Sequence, residues 1–401
     1  MKNGWEIKKL GDLTDFITKG TTPTSLGHSF VPSGVNFVKV ESIEDSGEFI
    51  AHKLAHITNE CHEILKRSQL NFGDILFSIA GALGRTAFVT EDILPANTNQ
   101  ALSIIRLKKS TELLPAFILL SLSSGFVLEQ VEKFKGGVAQ QNLSLAQVRA
   151  FNIPIPSRQE QQRIVAILDE AFEGIATAKA NAEKNLKNAR QLFESHLNSV
   201  FSQRGEGWVE KQLQQTGITQ TGSTPKTLVI TNYGEYIPFV KPADFNKDGS
   251  LDYDKDKLSK QGFEQARKIS AGSVLMVCIG ATIGKCGYCD RDVTSNQQIN
   301  SYTPFDAVDH KFIFYQMLTR NFQQRVIQNS AQATLPIINK SKWSSLNVWL
   351  PPDLTQQRQI VVKLDILSDE TQRLESIYQK KIEALDALKK SILQKAFSGK
   401  M

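Results

Sequence analysis

Apolar and polar positions alternate in three successive styles along the chain, and the same succession runs through it twice. Short β-type runs such as 35–40 and 237–240 lie among glycine, proline, asparagine and threonine clusters, as in an irregular sheet domain. The apolar stretches at 73–80 and 272–279, each opened and closed by glycine, predict buried strands. Segments 115–134 and 309–328 carry helical spacing. Strands and helices mix without regular βαβ alternation, so the domains are expected to be α+β and β-rich.

After Pro156 and Pro352 the pattern becomes that of long helices. From about Gln161 to Ser202 no proline occurs. Apolar residues recur at Ile164, Ile167 or Leu168, Ala171, Ile175, Ala178, Ala182, Leu186, Ala189, Phe193, Leu197 and Val200. The second run gives Ile360, Leu364, Leu367, Leu374, Ile377 or Tyr378, Ile382, Leu385, Leu388 and Ile392. Steps of three and four sustained this far predict a coiled coil. A helix of about 38 residues at roughly 1.5 Å each is near 57 Å long, too long to be covered by one domain. The stripe therefore needs a second helix.

Six blocks repeat in order. Gly4-Trp5 returns as Gly207-Trp208, and Thr22-Pro23 as Thr224-Pro225. Phe37-Val38-Lys39 returns as Phe239-Val240-Lys241, and GDILFSIAGALGR (73–85) as GSVLMVCIGATIGK (272–285). Asn99-Gln100 matches Asn296-Gln297, and PSRQEQQRIVAILD (156–169) matches PDLTQQRQIVVKLD (352–365). The expected division is 1–160 and 204–355 as β-rich domains, with 161–203 and 356–401 as long helices. Because the second domain begins within a few residues of the first helix's end, and the second helix starts directly after it, antiparallel pairing of the helices is the economical arrangement. The expected molecule has a domain at each end of an antiparallel two-helix coiled coil, with approximate two-fold symmetry.

Composition narrows the class. The chain has 401 residues, 41% hydrophobic and 22% charged, with net charge +6. It can form real cores, and its mildly basic balance is compatible with a polyanion. No run reaches the roughly 20 apolar residues of a membrane helix, and the first residues show no apolar signal region, so a cytoplasmic protein is expected. Cys286 and Cys289 form a CxxC, but only Cys278 and His310 lie near as further ligands, and buried thiols in strands are the favoured reading over a metal site. The stretch DGSLDYDKDK (248–257) lacks the closing Glu of a calcium loop and reads as solvated. No GxxxxGK(S/T) phosphate loop and no (N/D/S)PP(Y/F/W) adenine-methyltransferase loop occur.

A dimeric repressor reads two half-sites with two like domains held at fixed spacing; here the two domains are similar but not identical, so the half-sites should differ. The GW opening, the TP turn, the GDIL-type strand, Asn-Gln, and P-x4-QQR-IV-x-x-LD heading a long helix resemble the specificity subunit of type I restriction–modification enzymes, over the whole chain. The resemblance implies two target recognition domains that read an asymmetric bipartite sequence in double-stranded DNA, with the helices as spacer. It implies a non-catalytic chain without cofactor. Two modification subunits would bind S-adenosylmethionine and methylate adenine, and two restriction subunits would use ATP and magnesium for translocation and cleavage.

Base and phosphate reading wants Lys, Arg, Asn, Gln, Ser and Thr on exposed loops. The loops around the TP turns supply Lys19, Thr21, Thr22, Thr24 and Ser25, and Thr221, Ser223, Thr224 and Lys226. A second pair of loops supplies Gln140, Gln141 and Asn142, and Asn329 and Gln332. Arg85 and Lys285, just beyond the buried strands, are candidate phosphate contacts. The competing reading is ordinary turn chemistry. Gln161, Gln162 and Arg163, with Gln356, Gln357 and Arg358, are candidates for docking partner helices, against a plain solvated helix start. Rival functions are a two-headed coiled-coil adaptor binding proteins and a stand-alone enzyme with an unrecognised site.

Overall fold

The computed structural model describes residues 4–109, 112–135, 142–331 and 335–398. The chain divides into two compact units, 1–181 with 381–401, and 182–380. Each long helix, Arg158–Ser202 and Leu354–Phe397, therefore contributes to both.

In the first unit a four-stranded antiparallel sheet runs in the order Thr14–Lys19, Leu102–Leu107, Ile75–Ser78, Thr86–Phe88. A three-stranded sheet sets Val35–Val38 between antiparallel Ala55–Ile57 and parallel Ala96–Thr98. A two-stranded ribbon pairs Glu6–Lys9 with Asn152–Ile155, carrying the chain to the start of the long helix. The second unit has the same three sheets in the same orders. Gly217–Thr221, Ile299–Pro304, Val274–Val277 and Cys286–Tyr288 form the four-stranded one. Tyr233–Val240 lies between Lys257–Leu258 and Thr294–Ser295, and Val209–Gln212 pairs with Asn347–Leu350.

The glycine-bounded runs are the buried central strands expected. Every residue of Ile75–Ser78 and Val274–Val277 is buried, because two cores flank the strand. Ile75 and Phe77 join Ile17, Ile105, Phe117 and Phe151 in one core, while Leu76 joins Val38, Ile104 and Val89 in the other. Val274 and Met276 separate from Leu275 and Val277 in the same way. The two-residue period of a strand distributes alternate side chains to opposite faces.

The helical segments 115–134 and 309–328 are each two helices rather than one: Pro115–Leu122 with Gly125–Lys135, and His310–Leu318 with Arg320–Asn329. At the second break Thr319 is extended (φ −64°, ψ 147°) and its hydroxyl accepts from Phe322 N–H, capping the next helix. A threonine satisfies the orphan amide in a way that ends one helix and starts another, which apolar spacing alone does not reveal.

The long helices bury the expected stripe at Ile164, Leu168, Ile175, Ala182, Ala189 and Leu197. The other helix buries Val361 and Leu364, and also Thr371, whose hydroxyl donates to the Leu367 and Ser368 carbonyls and so needs no partner elsewhere. Leu388 leaves the stripe and is 47% exposed, and Tyr378 rather than Ile377 turns inward. Within the first unit Lys389 lies over the Phe172 ring and Lys179 pairs with Asp386 at 2.8 Å, so the segments run antiparallel. Within the second, Arg190 pairs with Glu375 at 2.8 Å. Among the described residues no helix is long and apolar enough to cross a membrane.

Candidate nucleic-acid interface

The TP loops and the Asn-Gln turns, far apart in sequence, meet in each unit. In the first, Gly20 N–H donates to the Leu102 carbonyl and Thr21 N–H to the Thr98 carbonyl. The Thr22 hydroxyl then donates to Gln100 Oε1. In the second, Gly222 N–H donates to Ile299 O and Ser223 N–H to Ser295 O, both at 2.9 Å, and Thr224 Oγ1 donates to Gln297 Oε1 at 2.5 Å. The approach is so close that glycine is required. A Cβ on Gly20 would sit 2.0 Å from the Thr98 carbonyl oxygen, and one on Gly222 would sit 2.3 Å from that of Asn296. Pro23 and Pro225 are buried beneath these loops, while Thr24, Ser25, Thr224 and Lys226 are exposed above them.

The surroundings of the shared pair differ. In the first unit Ser25 Oγ donates to Thr22 O at 2.6 Å, closing a short helical turn over Pro23–Leu26. In the second, Arg267 donates to Thr221 O at 2.8 Å, Ser223 Oγ accepts from Arg267 N–H, and Thr221 donates to Asn300 Oδ1 at 2.8 Å. A common frame thus carries two different sets of donors and acceptors. The sequence singles out the threonines as candidates but not Gln100 and Gln297, whose recurrence in the repeat is the available signal.

Lys19 is exposed at the end of its strand, and Asn142 is exposed. Asn329 ends its helix, its amide donating to Arg325 O. Lys285 is half-buried beside the strand at Val277. Gln140, Gln141 and Gln332 lie outside the described residues. Arg85 departs from the phosphate-contact expectation. Its guanidinium donates to the Val40 and Ile43 carbonyls at 3.1 and 2.7 Å and to Asp45 at 2.6 Å, so its hydrogen-bonding fork ties down the loop before it.

The docking expectation also needs correction at Gln161 and Gln357, which are 0% and 2% exposed. The Gln161 amide accepts from Leu114 N–H and donates to the Glu112 and Pro156 carbonyls. Gln357 accepts from Asp309 N–H at 2.8 Å and donates to Ala307 O at 3.1 Å. Each amide locks the start of a long helix to the short helices of its own unit, and is buried where a partner helix cannot reach it. The two QQR triplets are thus one residue out of register as structural equivalents. Gln162 and Gln356 face solvent; Arg163 pairs with Glu160, and Arg358 lies 3.9 Å from Asp309.

The cysteines are core residues. Cys278 and Cys286 lie in one core of the second unit and Cys289, just past the end of the strand Cys286–Tyr288, in the other. Burial pushes the Cys278 thiol up to about 12 and that of Cys289 to about 11. In the 248–257 loop Asp252 and Asp254 face Lys255 and Lys257, and Asp248 accepts from Ser250. Among the described residues no group of three or more His, Cys, Asp or Glu is arranged to hold a metal.

Two β-rich domains, each built around the same pinned loop and joined to long helices, define a two-domain recognition protein. The family model for the type I restriction modification DNA specificity domain matches residues 2–188 and again 205–384, and the chain belongs to that family. It is 23% identical to the "Putative type I restriction enzyme MjaX specificity subunit" of Methanocaldococcus jannaschii, over 99% of this chain and 93% of that one. It is 30% identical to the type I restriction enzyme EcoBI specificity subunit of Escherichia coli, over 44% of this chain and 36% of that one. Its fold is that of a chain solved in work on complex assembly and conformational transition of the type I R-M system, with TM-score 0.81, 20% identity and coverage of 100% and 99%. The HsdS subunit from Thermoanaerobacter tengcongensis gives TM-score 0.61 at 19% identity, covering 100% and 98%. The chain is a DNA sequence-specificity subunit, and a protein-binding adaptor is not the favoured reading.

Proposed function

We propose that this chain is the non-catalytic reader of a type I restriction–modification assembly. Each unit binds one half of an asymmetric bipartite sequence in double-stranded DNA, and the two long helices, paired as an antiparallel coiled coil with approximate two-fold symmetry, set the spacing. The observation that carries this is the doubled Thr–Gln loop frame, identical in construction and different in its polar neighbours, as two readers of different half-sites require. The long helices offer exposed flanks to two modification subunits, which would supply S-adenosylmethionine-dependent adenine methylation. Two restriction subunits would add ATP- and magnesium-dependent cleavage, and the whole would work in the cytoplasm.

The test is to co-express the chain with its modification partner and map methylated adenines across a genome. One asymmetric split sequence with a constant gap is expected. Exchanging residues 204–355 for the corresponding part of another specificity subunit should alter one half only. Absence of any methylated motif, or a change in both halves on exchange, overturns the reading.

A further inference from the structure

The loop after the second TP turn presents an anomaly. Leu228 is 96% exposed and Ile230 84% exposed, beyond any other large apolar side chain among the described residues. Aliphatic side chains so displayed forfeit the free energy of burial, so a loop free to turn would hide them. This one is held open from below. Asn232 is buried, with its amide donating to Lys226 O at 3.1 Å and accepting from Gln265 at 2.8 Å. Its carbonyl accepts from Ser259 N–H, and Gly262 passes so close that a Cβ there would stand 1.9 Å from it. Ser259 Oγ donates to Thr231 O at 2.6 Å and the Tyr233 hydroxyl to Pro225 O at 3.3 Å. Both legs of the loop are tied down, and the aliphatic pair stands on top.

The loop runs on directly from Thr224, which is paired with Gln297, and Lys226 is exposed beside it. Arg267, bonded to the same loop at Thr221, is exposed as well. Two aliphatic tips among threonines and cations are far smaller than the roughly 800 Å² per partner of a stable protein interface. They match a DNA groove edge, where cations meet phosphates and aliphatic groups meet the thymine 5-methyl. The first unit has a different tip: Leu26 is 52% exposed, and Phe30 turns in to pack edge-on against Phe37.

Resting on the reading of the second unit as a DNA reader, we propose that Leu228 and Ile230 are specificity-determining residues that recognise thymine methyl groups in that unit's half-site. That half-site then contains a thymine whose methyl group contributes to binding.

The experiment uses the full chain assembled with its modification partner and a duplex bearing the mapped target. Each thymine of the second unit's half-site is replaced in turn by deoxyuridine, which lacks only the methyl. At least one replacement should weaken binding about fourfold, the equivalent of about 0.8 kcal/mol for one buried methyl. The Leu228→Ser/Ile230→Ser variant should unfold at the wild-type temperature, bind the normal target roughly tenfold less tightly, and no longer distinguish thymine from deoxyuridine. The first half-site should be unaffected. Indifference of the wild-type complex to every such replacement overturns the proposal, as does wild-type binding by the variant. Loss of assembly with the modification partner would also overturn it, reassigning the tip to protein contact. If instead the wild-type complex reads no split target, the underlying function fails and not this detail alone.

Discussion

Thr224 Oγ1 donates to Gln297 Oε1 at 2.5 Å across 73 residues of chain, and Thr22 makes the same bond to Gln100 in the other unit. The bond joins the TP loop to the turn between two strands of separate sheets. The two exposed faces so joined are held in fixed relation without burying either. Replacing Thr224 by Val is expected to cost under about 1.5 kcal/mol of stability, since a solvent-accessible hydrogen bond is lost. It should nevertheless reduce recognition of the second half-site, with the first unchanged. Thermal unfolding together with binding to duplexes mutated in one half at a time checks this.

Gly222→Ala should be far more damaging than its size suggests. The added Cβ would meet backbone oxygen at 2.3 Å and the Ser295 hydroxyl at the same distance, and backbone cannot swing aside as a side chain tip can. A loss of about 2 kcal/mol or more is expected in denaturant unfolding, as for other overpacked positions. Gly174 lies mid-helix, where an added Cβ would have nothing within 4 Å, and should gain roughly 0.5–1 kcal/mol from the same change.

Neighbouring glutamines at the head of the first long helix should behave oppositely. Gln161→Ala removes a buried acceptor from Leu114 N–H and donors from the Glu112 and Pro156 carbonyls, and should cost about 1–3 kcal/mol. Gln162→Ala, on the exposed face, should leave stability within about 0.5 kcal/mol. Equal effects in urea titrations would contradict the assignment of Gln161 as an internal lock.

Thiol chemistry separates core cysteines from reactive ones. Burial raises the pKa of Cys278 and Cys289, so the thiolate is scarce at pH 8 and the sulfur is shielded. Native protein should resist alkylation at pH 8 at all four cysteines, each of which is buried, and react fully once unfolded. Rapid labelling of Cys286 or Cys289 in the native state would reopen a chemical role for the CxxC.

Much of this was legible in the residues. Glycine-bounded apolar runs at 73–80 and 272–279 identify central strands because a strand covered on both faces carries continuous apolar character, and runs this short suit a strand better than a buried helix. The heptad-like steps after Pro156 and Pro352 identify the long helices because length and period together leave no shorter solution. The ordered repeat identifies the doubled domain and, through the family it resembles, the function. Local sequence could not show that Thr319 breaks a helix or that Gln161 and Gln357 turn inward, since helix starts with polar side chains look alike until something packs beside them. Nor could it show that Arg85 is spent on Val40, Ile43 and Asp45, or that Gln100 and Gln297 belong to the loop frame. Those assignments depend on which segments the sheets bring together. The sequence alone determined the central strands, the long helices, their duplication and the family, because periodicity and order can be read along the chain. Only the tertiary structure decided which polar side chains remain available to a ligand, because a hydrogen bond between distant segments consumes them and leaves no trace in either segment.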